Sequence, residues 1–282
     1  AVIPALLAGR DLVGLAQTGS GKTAAFTLPL LHALAAAPRP LEPKRVRMLV
    51  LAPTRELAAQ IADCVQKYGA NVRHRCAVVV GGVKPGPQVR ALARGVDILV
   101  ATPGRLLDHH GTGAVDLSGV ETVILDEADQ MMDLGFMPAI RRVMAALPSK
   151  RQTVLLSATM PREIRNLADA FLTDPHEVAV DPVSRPVERI DQTVIHVERD
   201  DKRGLLVELL SDKSVERSIV FTRTKRGADR VARHLEGARL SAAAIHGDKS
   251  QNQRERALNA FREGKTPILV ATDIAARGID VS

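Results

Sequence analysis

The sequence predicts an α/β fold in which mainly parallel sheets form two lobes in tandem. Over the 282 residues, short apolar runs rich in β-branched side chains alternate with longer amphipathic stretches, which is the pattern of repeated strand–helix units. The strand sequence Ile-Leu-Val-Ala-Thr occurs at 98–102 and again, letter for letter, at 268–272. An internal repeat of this kind favours two related lobes, and the length also suffices for two domains of ordinary size.

The first lobe is expected at 1–180, a linker at 181–190 and the second lobe at 191–282. Expected strands of the first lobe are 12–15, 46–52, 77–80, 97–101, 121–125 and 153–157, and its expected helices are 24–37, 55–68, 87–94, 138–147 and 161–172. The stretch from Asp174 to Arg189 is rich in Pro, Val and charge, which suits an extended linker better than a helix. Expected strands of the second lobe, which we expect to be incomplete, are 192–197, 218–222, 242–245 and 267–271.

The composition limits the kind of partner. Lys and Arg outnumber Asp and Glu by 39 to 32, a formal net charge of +7, which favours an anionic partner such as nucleic acid. Aromatic residues make up only 2% of the chain, with no Trp and one Tyr. This disfavours a single-strand binder that stacks bases on aromatic side chains. A bound nucleic acid would instead be held through its sugar-phosphate backbone, with weak sequence specificity.

Cysteine usage and hydropathy bear on the compartment. Cys64 and Cys76 fit neither a redox motif nor a zinc cluster, and both are interpreted as small buried residues in a reducing compartment. No run approaches 18 apolar residues, and no basic stretch followed by an apolar one opens the chain. We therefore expect neither a membrane span nor a signal peptide, and a cytoplasmic location.

A phosphate-binding loop follows the first expected strand. Residues 16–23 read Ala-Gln-Thr-Gly-Ser-Gly-Lys-Thr, the pattern G-x-x-x-x-G-K-[ST] with Ala16 in place of the first glycine. In such a loop the backbone N–H groups bind phosphates, the lysine reaches the terminal phosphates and the last hydroxyl faces Mg²⁺. The expected nucleotide-binding residues here are Ala16, Gln17, Thr18, Gly19, Ser20, Gly21, Lys22 and Thr23.

A pair of carboxylates follows the expected strand at 121–125. Asp126 and Glu127 come directly after its apolar end, and one such carboxylate can hold Mg²⁺ while the next orients or deprotonates an attacking water. Alone, such a pair is more often a solvated turn, but with a phosphate-binding loop in the same lobe it favours an ATPase. The expected catalytic residues are Glu127, Lys22 and Asp126, and the expected Mg²⁺ site is Thr23 with Asp126.

With these elements and the tetrapeptide Asp-Glu-Ala-Asp at 126–129, the chain resembles the DEAD-box ATP-dependent RNA helicases. Further motifs of that family match in order: Pro-Thr-Arg-Glu-Leu at 53–57, Gly-Gly at 81–82, Thr-Pro-Gly-Arg at 102–105, Ser-Ala-Thr at 157–159, Gln-x-x-Arg at 251–254, Ala-Thr-Asp at 271–273 and Arg-Gly-Ile-Asp at 277–280. The resemblance covers essentially the whole chain and implies two RecA-like lobes that use ATP and Mg²⁺. Within the family we expect a bacterial, RhlE-like branch.

The resemblance also implies an RNA-binding surface. The positions that match the family's RNA contacts are Thr54, Arg55, Gly82, Thr102, Gly104 and Arg105 in the first lobe and Thr222, Gly247, Arg254 and Thr272 in the second. Hydroxyls, guanidinium groups and close-approach glycines suit a phosphate backbone. Taken singly, Thr54 could simply N-cap the following helix, residues 102–104 could be a common turn, and His246 could be a hydrogen-bonded turn residue.

Four more positions complete the implied site. Ser157 and Thr159 would couple ATP to unwinding, and Asp273 and Asp280 would meet the nucleotide or tie the lobes together. The family's adenine-reading motif would precede Ala1, and its arginine motif would follow Ser282. Because an arginine finger contributes roughly 10³ to 10⁵ in rate, we expect an ATPase parent protein but a chain of 282 residues that is weakly active or inactive.

The resemblance implies an RNA helicase that binds single-stranded RNA and opens short duplexes when its two lobes close on ATP. One alternative is a translocating DNA helicase, against which the motifs at 53–57 and 126–129 argue. The other is an ATP-gated RNA clamp or assembly scaffold, in which hydrolysis only releases the RNA. Nothing in the sequence separates the clamp from the helicase.

Overall fold

A computed structural model describes residues 2–17, 19–179, 191–212 and 215–272. The chain divides into two compact units, Ala1–Arg185 (unit 1) and Pro186–Ser282 (unit 2). Thr18, Asp273, Asp280 and the expected linker at 181–190 lie outside the described residues.

In its described part, unit 1 is a parallel sheet covered by helices on both faces. Its strands are β1 (Leu12–Leu15), β2 (Val46–Leu51), β3 (Cys76–Val79), β4 (Val96–Ala101), β5 (Thr122–Leu125), β6 (Gln152–Ser157) and β7 (His176–Ala179). Its helices are α1 (Val2–Leu7), α2 (Lys22–Ala36), α3 (Arg55–Tyr68), α4 (Pro85–Leu92), α5 (Pro103–Gly111), α6 (Ala128–Asp133), α7 (Met137–Ala146) and α8 (Arg162–Phe171). The strand order is β3-β4-β2-β5-β6-β1-β7.

Burial on both faces explains the continuous apolar runs of the central strands. On β2, Met48 and Val50 belong to a core cluster that includes residues of α2 and α3. Leu49 and Leu51 belong to a second cluster that includes residues of α5, α7 and α8. A parallel strand with both faces covered needs apolar residues at every position. The carboxyl edge of this sheet is therefore where polar side chains can gather.

Unit 2 repeats part of this arrangement on a smaller scale. Its described elements are α9 (Lys202–Leu210), β8 (Ser218–Thr222), α10 (Lys225–Gly237), β9 (Ala242–Ile245), α11 (Gln251–Arg262) and β10 (Ile268–Thr272). The described strands are parallel in the order β8-β10-β9. This matches the order β2-β4-β3 in unit 1, and the two repeated Ile-Leu-Val-Ala-Thr sequences fall on β4 and β10, each the middle strand of its trio. The internal repeat is thus a repeat of topology.

Most predicted elements are confirmed to within two residues, whereas two predictions and one considered alternative need correction. The expected strand at 192–197 is wrong, because residues 191–198 form neither helix nor strand, and Val194 is 81% exposed. An alternating pattern gives no strand without a partner to pair with. Residues 176–179, expected to be part of an extended linker, instead form β7 and pair with β1. Residues 103–111 form helix α5 rather than a simple turn, since Pro103 suits the first helical position.

Candidate functional site

The phosphate-binding loop joins β1 to α2 at the carboxyl edge of the unit 1 sheet. Gly19 and Gly21 have φ angles of +79° and +83°, which glycine adopts without strain. A Cβ added at either glycine would meet nothing within 4 Å, so the backbone encloses open space. Lys22 donates a hydrogen bond from Nζ to the carbonyl of Ala16 at 2.6 Å. The lysine is thereby folded back over the loop it follows.

Two described residues, Ala16 and Ser20, hold the loop to the sheet and to itself. The N–H of Ala16 donates to the carbonyl of Ser157 at the end of β6, and the Ser20 hydroxyl donates to the carbonyl of Gln17 at 2.7 Å. Thr23 lies half-buried in the first turn of α2. The N–H groups of that turn have no partner within the helix, and with the helix dipole they favour an anion.

The acidic pair lies at the end of β5 in the same sheet edge. Asp126 and Glu127 are 2% and 7% exposed, so neither is a solvated turn. The backbone N–H of Glu127 donates to Asp126 Oδ1 at 3.0 Å. Glu127 adopts the left-handed conformation, with φ +53° and ψ +54°, which is uncommon for a residue with a side chain and is typical of functional sites.

Burial dominates the electrostatics of this pair. It raises the pKa of Asp126 to about 6, against the opposing charge of Lys22. Burial and the Asp126 charge together raise the pKa of Glu127 to about 7, again opposed by Lys22. Because Lys22 acts on both carboxyls, the structure brings together the three residues that the sequence predicts to be catalytic. Perturbed carboxyls beside a phosphate-binding loop are candidates for proton transfer and metal binding.

These residues fit a magnesium–nucleotide complex. Glu127 Oε2 is buried with no hydrogen-bond partner in the described part of the chain, and a buried polar atom of this kind needs a partner such as water or a ligand. Among the described residues, no cluster of three or more His, Cys, Asp or Glu side chains could hold a metal ion alone. Mg²⁺ keeps several waters and binds through one or two carboxylates plus phosphate oxygens, so Asp126 and the Thr23 hydroxyl are the residues that would hold it.

Asp129 connects the acidic motif to the end of β6. Its backbone N–H donates to the Ser157 hydroxyl at 3.3 Å. Its carboxylate accepts hydrogen bonds from both the backbone N–H and the hydroxyl of Thr159, at 3.0 and 2.9 Å. The two hydroxyls expected to act in coupling are therefore both joined to the acidic motif, and through Ser157 to the phosphate-binding loop.

A second group of predicted residues follows β2, β3 and β4. Thr54 caps helix α3, its hydroxyl accepting from the N–H of Leu57 at 3.2 Å, so the simple capping role considered for it is real. The Arg55 guanidinium packs on Gly82, whose φ is +72°, so closely that a Cβ there would overlap it. Arg105 donates to the carbonyl of Val83 at 3.0 Å. Both arginines thus lie against one loop, residues 80–83.

The other two predicted residues of this group begin helix α5. Thr102 is buried and precedes the helix without making a side-chain cap. Gly104 lies in the first turn, where an added Cβ would meet nothing within 4 Å. A glycine with open space above it leaves room for a ligand backbone to approach closely.

In unit 2, the predicted threonines lie side by side. Thr222 and Thr272 end β8 and β10 and are paired in register, and the Thr222 hydroxyl donates to the carbonyl of Ala271 at 3.4 Å. Gly247 lies beside Lys225, which would be 3.5 Å from an added Cβ. Arg254 lies in the first turn of α11.

A cavity of about 570 Å³ near the ends of β8 and β10 is lined in part by basic residues that the sequence analysis missed. Its lining includes Arg223, Thr224, Lys225, Arg226, Arg230, Gly247, Asp248 and Thr272. The signal was a cluster of four basic residues within eight positions, 223–230, directly after a strand ending in threonine. Such a cluster provides an electrostatic footprint for a polyanion.

His246 is held as a structural residue of unit 2. It is 3% exposed, its Nδ1 accepts from the backbone N–H of Asp248 at 3.3 Å, and its Nε2 lies 3.1 Å from Asp229 Oδ1. Lys249 and His246 lower the pKa of Asp229. The hydrogen-bonded turn role considered for His246 therefore agrees with its surroundings.

Comparison with known proteins matches both units. Residues 1–167 match the family described as DEAD/DEAH box helicase, and residues 201–282 match the helicase conserved C-terminal domain. The chain is 44% identical over 284 residues to the ATP-dependent RNA helicase dbp2 of Neurospora crassa, and 44% identical over 280 residues to DEAD-box ATP-dependent RNA helicase 30 of Arabidopsis thaliana. These alignments cover 99% of this chain and 50% and 47% of the relatives, so the chain spans about half their length.

Solved structures agree with the fold. A DEAD box protein from Methanococcus jannaschii matches with a TM-score of 0.58 and 38% identity, over 100% of this chain and 74% of that one. The Saccharomyces cerevisiae protein Dbp5, solved in a complex with Gle1 and IP6, matches with a TM-score of 0.73 and 30% identity, over 99% of this chain and 69% of that one. These matches confirm the predicted α/β fold with RecA-like parallel sheets.

One expectation about the family is not supported. The relatives above are fungal and plant proteins, so placement in a bacterial, RhlE-like branch has no basis in these comparisons. No helix in the described ranges is long and apolar enough to span a membrane. The profile match over residues 1–167 and the identity to helicase relatives across nearly the whole sequence show that this chain belongs to the DEAD/DEAH box helicase family.

Proposed function

We propose that the chain is the core of an ATP-dependent RNA helicase that binds single-stranded RNA through its backbone and opens short duplexes locally. The observation that carries this proposal is the buried acidic pair beside Lys22, with Glu127 Oε2 lacking a partner among the described residues. A site of this kind supports hydrolysis of a nucleoside triphosphate. The relatives are named ATP-dependent RNA helicases, which supports ATP and RNA as the substrates.

In the proposed reaction, Lys22 and the loop and helix amides hold the phosphates. Glu127 orients the attacking water and accepts its proton, a role suited to a carboxyl whose pKa is raised to about 7. Thr23 and Asp126 would hold Mg²⁺, largely through its waters, and the ion would neutralise developing charge on the phosphates. Asp273 and Asp280 remain predicted nucleotide-side residues, outside the described part of the chain.

RNA is proposed to lie along the edge where Arg55, Arg105 and Gly104 gather in unit 1. Supporting this are two guanidinium groups on one loop and a glycine with open space above it. In unit 2, the proposed contacts are Thr222, Gly247, Arg254 and Thr272. Of these, Gly247 and Thr272 line the 570 Å³ cavity together with its basic residues. Phosphate contacts of this kind position a strand without reading its sequence.

Coupling between ATP and RNA is proposed to run through Asp129. Its bonds to Ser157 and Thr159 link the acidic motif to the end of β6, whose Ser157 carbonyl also holds the phosphate-binding loop. A displacement of the phosphate-binding loop would therefore act directly on Ser157, and through Asp129 on Thr159. Coupling of this type is reciprocal, so RNA must tighten ATP binding as much as ATP tightens RNA binding.

The first test is RNA affinity with and without a non-hydrolysable ATP analogue and Mg²⁺, measured by fluorescence anisotropy. We expect the analogue to tighten RNA binding at least about fivefold, and to do so more for RNA than for DNA of the same sequence. Lys22→Ala should abolish the tightening, whereas Lys67→Ala, which removes an exposed lysine of α3, should not. Equal RNA binding with and without the analogue would contradict the proposal.

A second test separates the helicase from the ATP-gated clamp. Glu127→Gln should keep nucleotide-dependent RNA binding but lose hydrolysis, since it removes the proton acceptor while preserving size. If release after hydrolysis is needed for function, the variant should accumulate on RNA and fail to separate further duplexes. A variant that stays functional in that state would favour the clamp.

The cytoplasmic location expected from the sequence stays a prediction.

A further inference from the structure

A buried histidine–glutamine pair contacts the loop of unit 1 that carries Gly81 and Gly82. His109 of α5 and Gln88 of α4 are 3% and 7% exposed. His109 Nε2 lies 3.1 Å from Gln88 Oε1, and Gln88 Nε2 donates to the carbonyl of Val80 at 2.9 Å. The chain of contacts thus runs from helix α5 through helix α4 to the first residue of loop 80–83.

The hydrogen-bond donors fix how this pair must be protonated. Because the Gln88 amide nitrogen donates to Val80, its Oε1 faces His109 and can only accept. His109 Nε2 must therefore carry a hydrogen, which the neutral imidazole can provide in one of its two tautomers. Burial, and secondarily the charge of Arg105, lower the pKa of His109. The neutral Nε2–H form satisfies the whole pair without placing a charge in the interior.

The same loop is also contacted by the two arginines of the candidate RNA surface. Arg105, one helical turn before His109 on α5, donates to the carbonyl of Val83. Arg55 packs on Gly82. The carbonyls at the two ends of the loop are thus both bound by side chains, that of Val80 by Gln88 and that of Val83 by Arg105. A satisfied buried polar pair specifies one geometry more strictly than an apolar contact does.

We propose that His109 and Gln88 are positioning residues for the RNA-binding surface. They do not touch RNA; they fix loop 80–83, against which Arg55 and Arg105 are held. This inference rests on the proposed RNA-binding function and adds two buried residues that the motif analysis did not single out. Loss of the pair should weaken RNA binding without changing the nucleotide site. That site lies at the ends of β1, β5 and β6, and strands β4 and β2 separate these from β3, which the loop follows.

The test uses this 282-residue chain with four single variants and one double variant. His109→Leu and Gln88→Leu remove the pair, His109→Gln restores an N–H donor, and His110→Leu is the matched control. His110, the next residue of α5, makes no hydrogen bond through Nδ1 in the described part of the chain. We expect both leucine variants at positions 88 and 109 to weaken RNA binding about tenfold, as loss of a buried hydrogen bond would, with ATP affinity within about twofold of wild type.

Two further results identify positioning rather than general stability. His109→Gln should recover RNA affinity to within about threefold of wild type, and combining His109→Leu with Gln88→Leu should cost no more than either alone. Amide hydrogen exchange, measured without RNA, should increase at residues 81–84 in His109→Leu and stay unchanged in His110→Leu. This readout reports the loop directly and does not depend on RNA binding.

The outcomes separate the inference from the function on which it rests. If the wild-type chain fails to bind RNA, the proposed function is wrong and the positioning role falls with it, whatever the exchange data show. If wild type binds RNA but His109→Leu binds equally well, only the positioning role is overturned. It is also overturned if His109→Leu weakens ATP and RNA binding alike or if His109→Gln fails to rescue.

Discussion

Replacing Glu127 with glutamine measures how much the buried Glu127 charge lowers the free energy of unfolding. The side chain is 7% exposed, and Oε2 has no hydrogen-bond partner among the described residues. Burial and the adjacent Asp126 charge raise its pKa from an ordinary 4.5 to about 7. A difference of that size corresponds to about 3 kcal/mol between the protonated and ionised forms. The Glu127→Gln substitution keeps the size of the side chain and removes its charge, so the nucleotide-free chain should become more stable above pH 7.

The direction of the pH dependence follows from which state keeps the proton. Between about pH 4.5 and pH 7 the folded chain still holds the Glu127 proton that the unfolded chain has released. The free energy of unfolding therefore falls as pH rises through this window and levels off above it. Asp126, whose pKa is raised to about 6 by burial, also makes the free energy of unfolding decrease as pH rises. The variant should lose the Glu127 part of this slope.

Urea unfolding of the nucleotide-free chain at pH 5.0 to 8.5, followed by circular dichroism, gives the required free energies. At pH 8.5 we expect Glu127→Gln to exceed wild type by about 1 to 3 kcal/mol, the lower end reflecting the hydrogen bonds the buried amide still needs. Glu163→Gln, the same change at an exposed glutamate of α8, should stay within about 0.5 kcal/mol of wild type. A Glu127→Gln chain less stable than wild type at pH 8.5, or one with an unchanged pH slope, would refute the reasoning.

Substitutions at four other positions test the remaining geometry. Gly104→Ala should leave stability within about 1 kcal/mol, because its Cβ meets no protein atom within 4 Å, yet weaken RNA binding about tenfold by crowding the strand, as anisotropy would show. Gly82→Ala should cost about 1 to 2 kcal/mol of unfolding free energy, because φ is +72° and the Cβ displaces Arg55, and it should weaken RNA binding as well. Thr54→Ala should cost about 1 kcal/mol through loss of the helix cap, whereas Thr54→Ser should not. Asp129→Asn should keep ATP binding but lose the tightening of RNA binding by a non-hydrolysable ATP analogue, since it removes the charged acceptor of the Thr159 hydroxyl, which follows β6.

The sequence could predict what rests on local chemistry. The strand, loop and helix around Lys22 follow from glycine conformation and from the phosphate-binding pattern. The apolar runs at 46–52 and 121–125 could be assigned as buried parallel strands, which placed Asp126 and Glu127 at a sheet edge. Their burial was not predictable, because it depends on how β5 lies between β2 and β6.

What the sequence could not predict depends on pairing and on side chains that meet across the fold. Residues 176–179 carry a weak alternating pattern, and they form a strand only because β1 offers an open edge and the carbonyl of Asp11 accepts the N–H of His176. Residues 192–197 carry a similar pattern without a described partner strand. Nothing in the sequence places His109 against Gln88, 21 positions earlier. Contacts of this kind arise from tertiary packing, which overrides local pattern.

The helix-capping role considered for Thr54 does not exclude RNA binding, and neither does the contact of Arg105 with loop 80–83. A hydroxyl has two acceptor sites and one hydrogen to donate, and Thr54 uses one acceptor site for the N–H of Leu57. A guanidinium has five N–H donors, and Arg105 uses one for Val83 while its Nε lies 3.6 Å from Asp108. Each side chain is therefore held in one orientation by a protein contact and still has donors for a phosphate. A side chain fixed in this way loses less conformational entropy when RNA binds, so the capping and loop contacts strengthen the RNA-binding proposal instead of competing with it.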